Sequence, residues 1–169
     1  MPARKIVLFK NYYKLHAKYN LGTTMDIIQT VKDAWGWTGI APVEVVTEND
    51  FANFILKDEA DKFWRLCPED VYCKVVADSI EAYNKLITDE DFVYDWFVDA
   101  YVEDAKATLG ELTEGQKYTL IIPGALDGDY DGDNMKIAPI EDIICASGAL
   151  GKQIKDLPDG SKIAFDAAA

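Results

Sequence analysis

Phe54-Ile55-Leu56-Lys57-Asp58-Glu59-Ala60-Asp61-Lys62-Phe63-Trp64-Arg65-Leu66-Cys67-Pro68-Glu69-Asp70-Val71-Tyr72-Cys73-Lys74-Val75-Val76-Ala77 is the stretch that decides the fold. Two apolar runs, Phe54 to Leu56 and Phe63 to Leu66, flank the polar turn Asp58-Glu59-Ala60-Asp61, which is the pattern of a hairpin. Pro68-Glu69-Asp70 supplies the next turn and Tyr72 to Ala77 the next strand. The β-branched run Val43 to Val46 comes just before. Together these segments predict an antiparallel meander.

Upstream of the meander, Thr24 can cap a helix in which Met25, Ile28, Val31 and Trp35 recur at helical spacing, with Gly36 and Gly39 ending it. Lys5 to Lys10 is a short apolar run expected as an edge strand. Downstream, Asp78 with Glu81 resembles a capping arrangement for a short helix carrying Tyr83, Leu86 and Ile87. Thr88 and Asp91 repeat that signal before the clearest helix of the chain. There Phe92, Trp96, Ala100 and Ala107 fall on one side, and Gly110 marks the end. Lys117 to Pro123 is an apolar strand, and Gly124 to Asn134 a loop. Pro139 suits the first turn of a helix with Ile140, Ile143 and Ile144 inward. Leu157-Pro158-Asp159-Gly160 is a turn, and Ser161 to Phe165 the last strand. No repeat and no linker interrupts the order. It predicts one α+β domain over residues 1–169, a central, mostly antiparallel sheet with packed helices.

The composition supports a folded core and limits the function. Hydrophobic residues make up 49% of the 169, with seven Phe, nine Tyr and four Trp, and Trp64 and Trp96 are expected in the core. A formal net charge of −13 argues against nucleic acid and anionic membrane surfaces as direct ligands and favours a basic partner. No apolar run approaches the ~18 residues of a membrane span, and Ile6 to Phe9 is too short for a secretory leader, so a cytoplasmic location is expected. Cys67, Cys73 and Cys145 form no C-x-x-C pair and His16 is the single histidine, so free thiols are expected rather than a zinc site.

No nucleophile elbow, phosphate-cradling glycine loop or H-E-x-x-H motif occurs, and no pair among the many carboxylates stands out. The chain therefore reads as a binding protein without catalytic residues. Two acidic features are candidates for its binding surface. Asp91, Asp95, Asp99 and Glu103 fall at i,i+4 spacing along the strong helix, where like charges repel by about 0.2–0.5 kcal/mol per pair unless something positive offsets them. The loop Asp127-Gly128-Asp129-Tyr130-Asp131-Gly132-Asp133 sets Asp129, Tyr130 and Asp131 together, a tyrosine amid carboxylates. The same loop matches the first half of a calcium loop through Asp127, Asp129 and Asp131, with Asp133 nearby. Ala138 stands where the closing bidentate Glu belongs, so only weak Ca²⁺ binding is expected of it and no other cofactor.

Several stretches resemble one bacterial family. Trp35-Gly36-Trp37 with Pro42, Asn49, Phe51 and Asn53 is similar to its N-terminal motif, and Phe63-Trp64-Arg65-Leu66-Cys67-Pro68-Glu69-Asp70 to its most specific one. Asp95-Trp96, Leu109-Gly110-Glu111-Leu112, Gly115-Gln116-Lys117-Tyr118, Asn134 and Gln153 to Gly160 continue the likeness, which runs from about Ala34 to Phe165. The family is the C-terminal domain of type VI secretion DNase-immunity proteins, a domain that often follows a GAD-like domain. The resemblance implies a cytoplasmic protein that binds and neutralises a cognate toxin. It brings no catalytic residue, and its loop at 127–134 is expected to be richer in glycine and less acidic than here.

Overall fold

The computed structural model describes residues 5–6, 26–162 and 164–165. His16, Thr24 and Met25, and with them the expected Thr24 cap, lie outside the described residues. So does the stretch 7–10 of the first expected strand. Four strands form the expected meander: β2 (Pro42–Glu48), β3 (Phe54–Asp58), β4 (Phe63–Cys67) and β5 (Tyr72–Ala77), each antiparallel to the next in the order of the chain. The Asp58 turn is held by its own side chain, whose Oδ1 accepts from the backbone N–H of Ala60 and of Lys62, both at 2.9 Å. An aspartate in that place closes a tight turn locally, which is why the sequence marks it.

Strand alternation sends the meander's side chains to two separate cores. Phe54, Leu56, Leu66 and Cys73 pack on one face against α1 (Ile27–Trp35) and α5 (Ile140–Ile154). Ile55, Phe63 and Ala77 pack on the other with Tyr83 of α2 (Ile80–Leu86) and Trp96 of α3 (Glu90–Phe97). The sheet is therefore covered by helices on both faces. On the first face, the Trp35 indole N–H donates to the Ile144 carbonyl at 3.2 Å and that of Trp37 to the Gly148 carbonyl at 3.2 Å. A Cβ on Gly148 would lie 2.6 Å from the Ala34 carbonyl oxygen, so only glycine lets α1 and α5 come this close. Trp96 is 6% exposed, whereas Trp64 is half-buried, its indole N–H donating to Asp58 Oδ2 at 2.7 Å.

A third core lies beside the sheet. The helix α4 (Asp99–Leu109) packs through Ala105 against Tyr118 and Leu120 of β6 (Gln116–Leu120) and Met135 of β7 (Met135–Pro139), and Phe51 joins them. Strands β6 and β7 are an antiparallel pair, and β1 (Lys5–Ile6) pairs in parallel with β8 (Ala164–Phe165). The architecture is α+β with the expected antiparallel sheet at its centre.

Several sequence expectations are corrected. The cap of α1 is Asp26, which accepts from the Gln29 N–H at 3.1 Å. The cap of α2 is Ser79, not Asp78, and that of α3 is Asp89, not Thr88. Residues 135–138, unassigned from sequence, form a strand with Pro139, which was expected in the first turn of the helix and is instead the cap residue before α5, while the strand expected to reach Pro123 ends at Leu120. The single long helix before Gly110 is two helices, α3 and α4, divided at Val98.

Candidate functional site

The division at Val98 changes the meaning of the acidic ridge. Val98 sits at φ 45°, ψ 37°, the left-handed region, so the chain turns between Phe97 and Asp99. Asp91 now lies in the first turn of α3 and Asp99 in the first turn of α4. Each faces the positive end of its own helix dipole, where a carboxylate is favourable by about 0.3–1 kcal/mol. Asp95 forms an ion pair with Arg65, which is 5% exposed, while Asp95 itself is 66% exposed. Of the four ridge residues only Glu103 has neither a helix N-terminus nor a cation among the described residues. The repulsion inferred from an unbroken i,i+4 series is thus largely relieved within the chain. The segment remains acidic on its exterior: residues 89–104 hold seven carboxylates and no Lys, Arg or His.

Behind this face runs a buried polar network. The Arg65 guanidinium also donates from Nε to Asn53 Oδ1 at 3.1 Å and lies over the rings of Trp96, Tyr72 and Phe92 at 5.6, 5.9 and 6.0 Å. Asn53 Nδ2 donates to Glu69 Oε1 at 2.6 Å. Asn49 accepts the N–H groups of Phe51 and Asn53 on Oδ1, both at 3.0 Å, and donates to the Trp96 carbonyl at 2.6 Å. The Asn, Arg and Glu positions of the two N-terminal motifs are therefore one construction that fixes α3 against the sheet. Glu69 is 5% exposed, its Oε2 has no hydrogen-bond partner among the described residues, and burial pushes its carboxyl above the ordinary range.

The Asp-rich loop is built inward as well as outward. Tyr130 donates its hydroxyl to Asp70 Oδ1 at 2.8 Å, and its ring lies 4.9 Å from that of Tyr101 on α4. Asp131 Oδ1 accepts from the Asn134 N–H at 3.2 Å. Asn134 Nδ2 donates to the carbonyls of Ile122 and Asp129, both at 2.8 Å. A Cβ on Gly128 would meet the Ile122 carbonyl oxygen at 1.9 Å, and one on Gly132 would meet Thr108 Oγ1 of α4 at 2.9 Å. These contacts set the loop beside α4, the helix that carries Asp99 and Glu103. Sequence alone does not require the loop and this helix to be neighbours.

Asp127, Asp129, Asp131 and Asp133 do not converge. Among the described residues no three His, Cys, Asp or Glu side chains are grouped as a metal cage. Tyr130 is half-buried and braced by Asp70. Among the described residues the most exposed aromatic side chain is Tyr94, 84% exposed, which the sequence reading missed. Its position between Asp91 and Asp95 on the polar side of α3 was the available signal. No disulfide joins Cys67, Cys73 and Cys145, and burial lifts Cys73 to about 12 and Cys145 to about 11, far from an activated nucleophile. No helix among the described residues is long and apolar enough to cross a membrane.

No curated protein matches the chain. The segment carrying α2 to α4, the loop and the first half of α5 does match a family model, while the motifs at 35–53 and 63–70 lie before it. Over residues 77–147 the chain is similar to the family described as type VI secretion system immunity protein Tdi1, C-terminal.

Proposed function

We propose that this chain is a cytoplasmic immunity-type protein that neutralises a cognate toxin by direct protein–protein contact, and that the toxin is basic and of nuclease type. The observation that carries the reading is a coincidence of position. The segment similar to the immunity family, 77–147, is also the segment that holds the acidic α3–α4 face and the Asp loop beside it. A nucleic-acid-cleaving toxin needs a cationic surface for phosphates, and an acidic protein docked there blocks it while gaining electrostatic complementarity. In this reading Asp91, Asp95, Asp99 and Glu103, with Asp129, Tyr130 and Asp131, contribute to the contact. The mechanism is occlusion, and nothing in it requires a reaction by this chain.

The test is co-expression with a toxin-like reading frame found beside the gene for this chain. Restored growth together with a complex that co-elutes on gel filtration supports the reading. Unrelieved toxicity, or relief without any complex, overturns it.

A further inference from the structure

Helix α3 carries an apolar cleft on one flank and an unsupported aromatic ring on the next. The cleft, of about 220 Å³, opens between α2, α3 and the sheet, with Ile55 and Tyr83 at its floor and Ile87, Val93 and Phe97 around it. Ile87 is 44% and Phe97 53% exposed, so its rim is apolar and open to water. At 100° per residue, Tyr94 stands roughly 60° around the helix from Phe97 on one side and from Asp91 on the other. Glu90 lies one turn before Tyr94. Cleft, ring and carboxylates therefore form a continuous strip.

We propose that this strip is the anchor of a docking surface for a basic partner protein: the cleft takes one apolar side chain of the partner, and arginines flanking that side chain lie over Tyr94 and against Glu90 and Asp91. The proposal rests on the immunity reading for the identity of the partner, but its chemistry is argued from the strip. The cleft has room for about seven waters, and an apolar lining holds them poorly, so an apolar group that displaces them gains affinity. A tyrosine with 84% of its surface in water contributes nothing to the core. It offers a rigid ring to a planar guanidinium, which can also meet a carboxylate with two parallel hydrogen bonds. Charge complementarity chooses the occupant. A second copy of this chain would bring another −13 to the contact, and nucleic acid or an anionic membrane is repelled in the same way.

Two synthetic helical peptides of equal length and charge test the surface, one bearing Arg and Leu, the other Arg and Ser, with amide chemical shifts of the full chain as the readout. The Arg/Leu peptide is expected to shift Ile87, Val93, Tyr94 and Phe97 and to bind at least tenfold more tightly than the Arg/Ser peptide. The double variant Ile87→Lys/Tyr94→Ser, both positions exposed, is expected to lose that advantage with an unchanged melting curve. Absence of binding, equal affinity of the two peptides, or shifts spread over remote acids such as Asp61 and Asp159 overturns the proposal. The cognate toxin separates the two readings. If the wild type neutralises it and Ile87→Lys/Tyr94→Ser does so undiminished, the surface is wrong and the immunity reading stands. If the peptides map to the cleft and no toxin is neutralised, the surface stands and the immunity reading falls.

Discussion

Arg65 ties together parts of the chain that lie far apart in sequence, and its cost on removal divides unequally among its partners. Asp95 is 66% exposed, so its ion pair is screened and Asp95→Asn is expected to cost no more than about 1 kcal/mol. Arg65→Ala also strands Asn53 Oδ1 and empties the space between Trp96, Tyr72 and Phe92, for an expected loss of about 2–4 kcal/mol. Urea unfolding of the two variants checks this, and equal losses would mean that the ion pair, not the packed cation, carries the site. Glu69 gives a prediction of opposite kind. Its folded pKa is raised by burial, so the native state holds its proton more tightly than the unfolded chain. The sign follows: stability falls as pH rises from about 4.3, the unfolded value, through the folded pKa. Glu69→Gln keeps an oxygen for Asn53 and carries no charge, so it is expected to gain on the wild type as pH rises across that window. A difference between the two proteins that stays constant from acid to neutral pH would show that Glu69 titrates normally. Asp58 acts the other way. Burial alone would raise its carboxyl, but hydrogen bonds from Trp64, Lys62 and Ala60 outweigh burial and hold it low, so its contribution is lost only as pH falls through that lowered value.

At the scale of elements, what could be read from sequence was what local chemistry encodes. The Asp58 and Pro68 turns, the alternation of Phe54, Ile55 and Leu56, and Pro139 ahead of α5 each act within a few residues, and the meander and α5 followed from them. Val98 carried no such signal. A β-branched residue at φ 45° is disfavoured by about 1–2 kcal/mol, so nothing in the sequence marks it as a break, and the apolar spacing of Phe92, Trp96 and Ala100 runs straight through it. What fixes it there is tertiary: Val98 packs on the Phe51–Tyr118 core while Trp96 is held by Asn49. The short strand β7 was hidden for a related reason, since its apolar residues emerge only when β6 is beside them. The Arg65 network was illegible because Asp95 lies 30 residues away. The strained break is testable. Val98→Gly relieves the backbone and gives up about 1 kcal/mol of half-buried side chain, so it is expected to change stability by less than about 1 kcal/mol. Val93→Gly, inside α3, is expected to cost at least about 1 kcal/mol. A loss above about 2 kcal/mol for Val98→Gly would show that the left-handed conformation is not what the native state pays for.

On the scale of the whole molecule, the charge is not evenly spread, and its placement decides which substitutions can report on docking. Seven carboxylates without a base fall between residues 89 and 104, against a net charge of −13 for the chain. Such a field raises the rate of encounter with a basic protein by about 10–1000-fold and leaves the rate of separation mostly to short-range contacts. Association with the cognate toxin is therefore expected to slow steeply between about 0.1 M and 1 M salt, as the screening length drops from about 10 Å to about 3 Å. Reversing Asp95 would confuse the result, because it would set a second cation against Arg65, and reversing Asp91 or Asp99 would unsettle a helix N-terminus. Glu103 and Asp129 are exposed, and no ion pair among the described residues uses them, so Glu103→Lys/Asp129→Lys alters the field with little effect on the fold. That variant is expected to associate more slowly and to depend less on salt while its dissociation rate stays near the wild-type value. Tyr94→Ser is expected to do the reverse, dissociating faster with the salt dependence intact, because an exposed ring acts only after contact. Stopped-flow or surface-bound kinetics at a series of salt concentrations separates the two. An association rate indifferent to salt, with both variants behaving as wild type, would reduce the acidity of this face to a device for solubility.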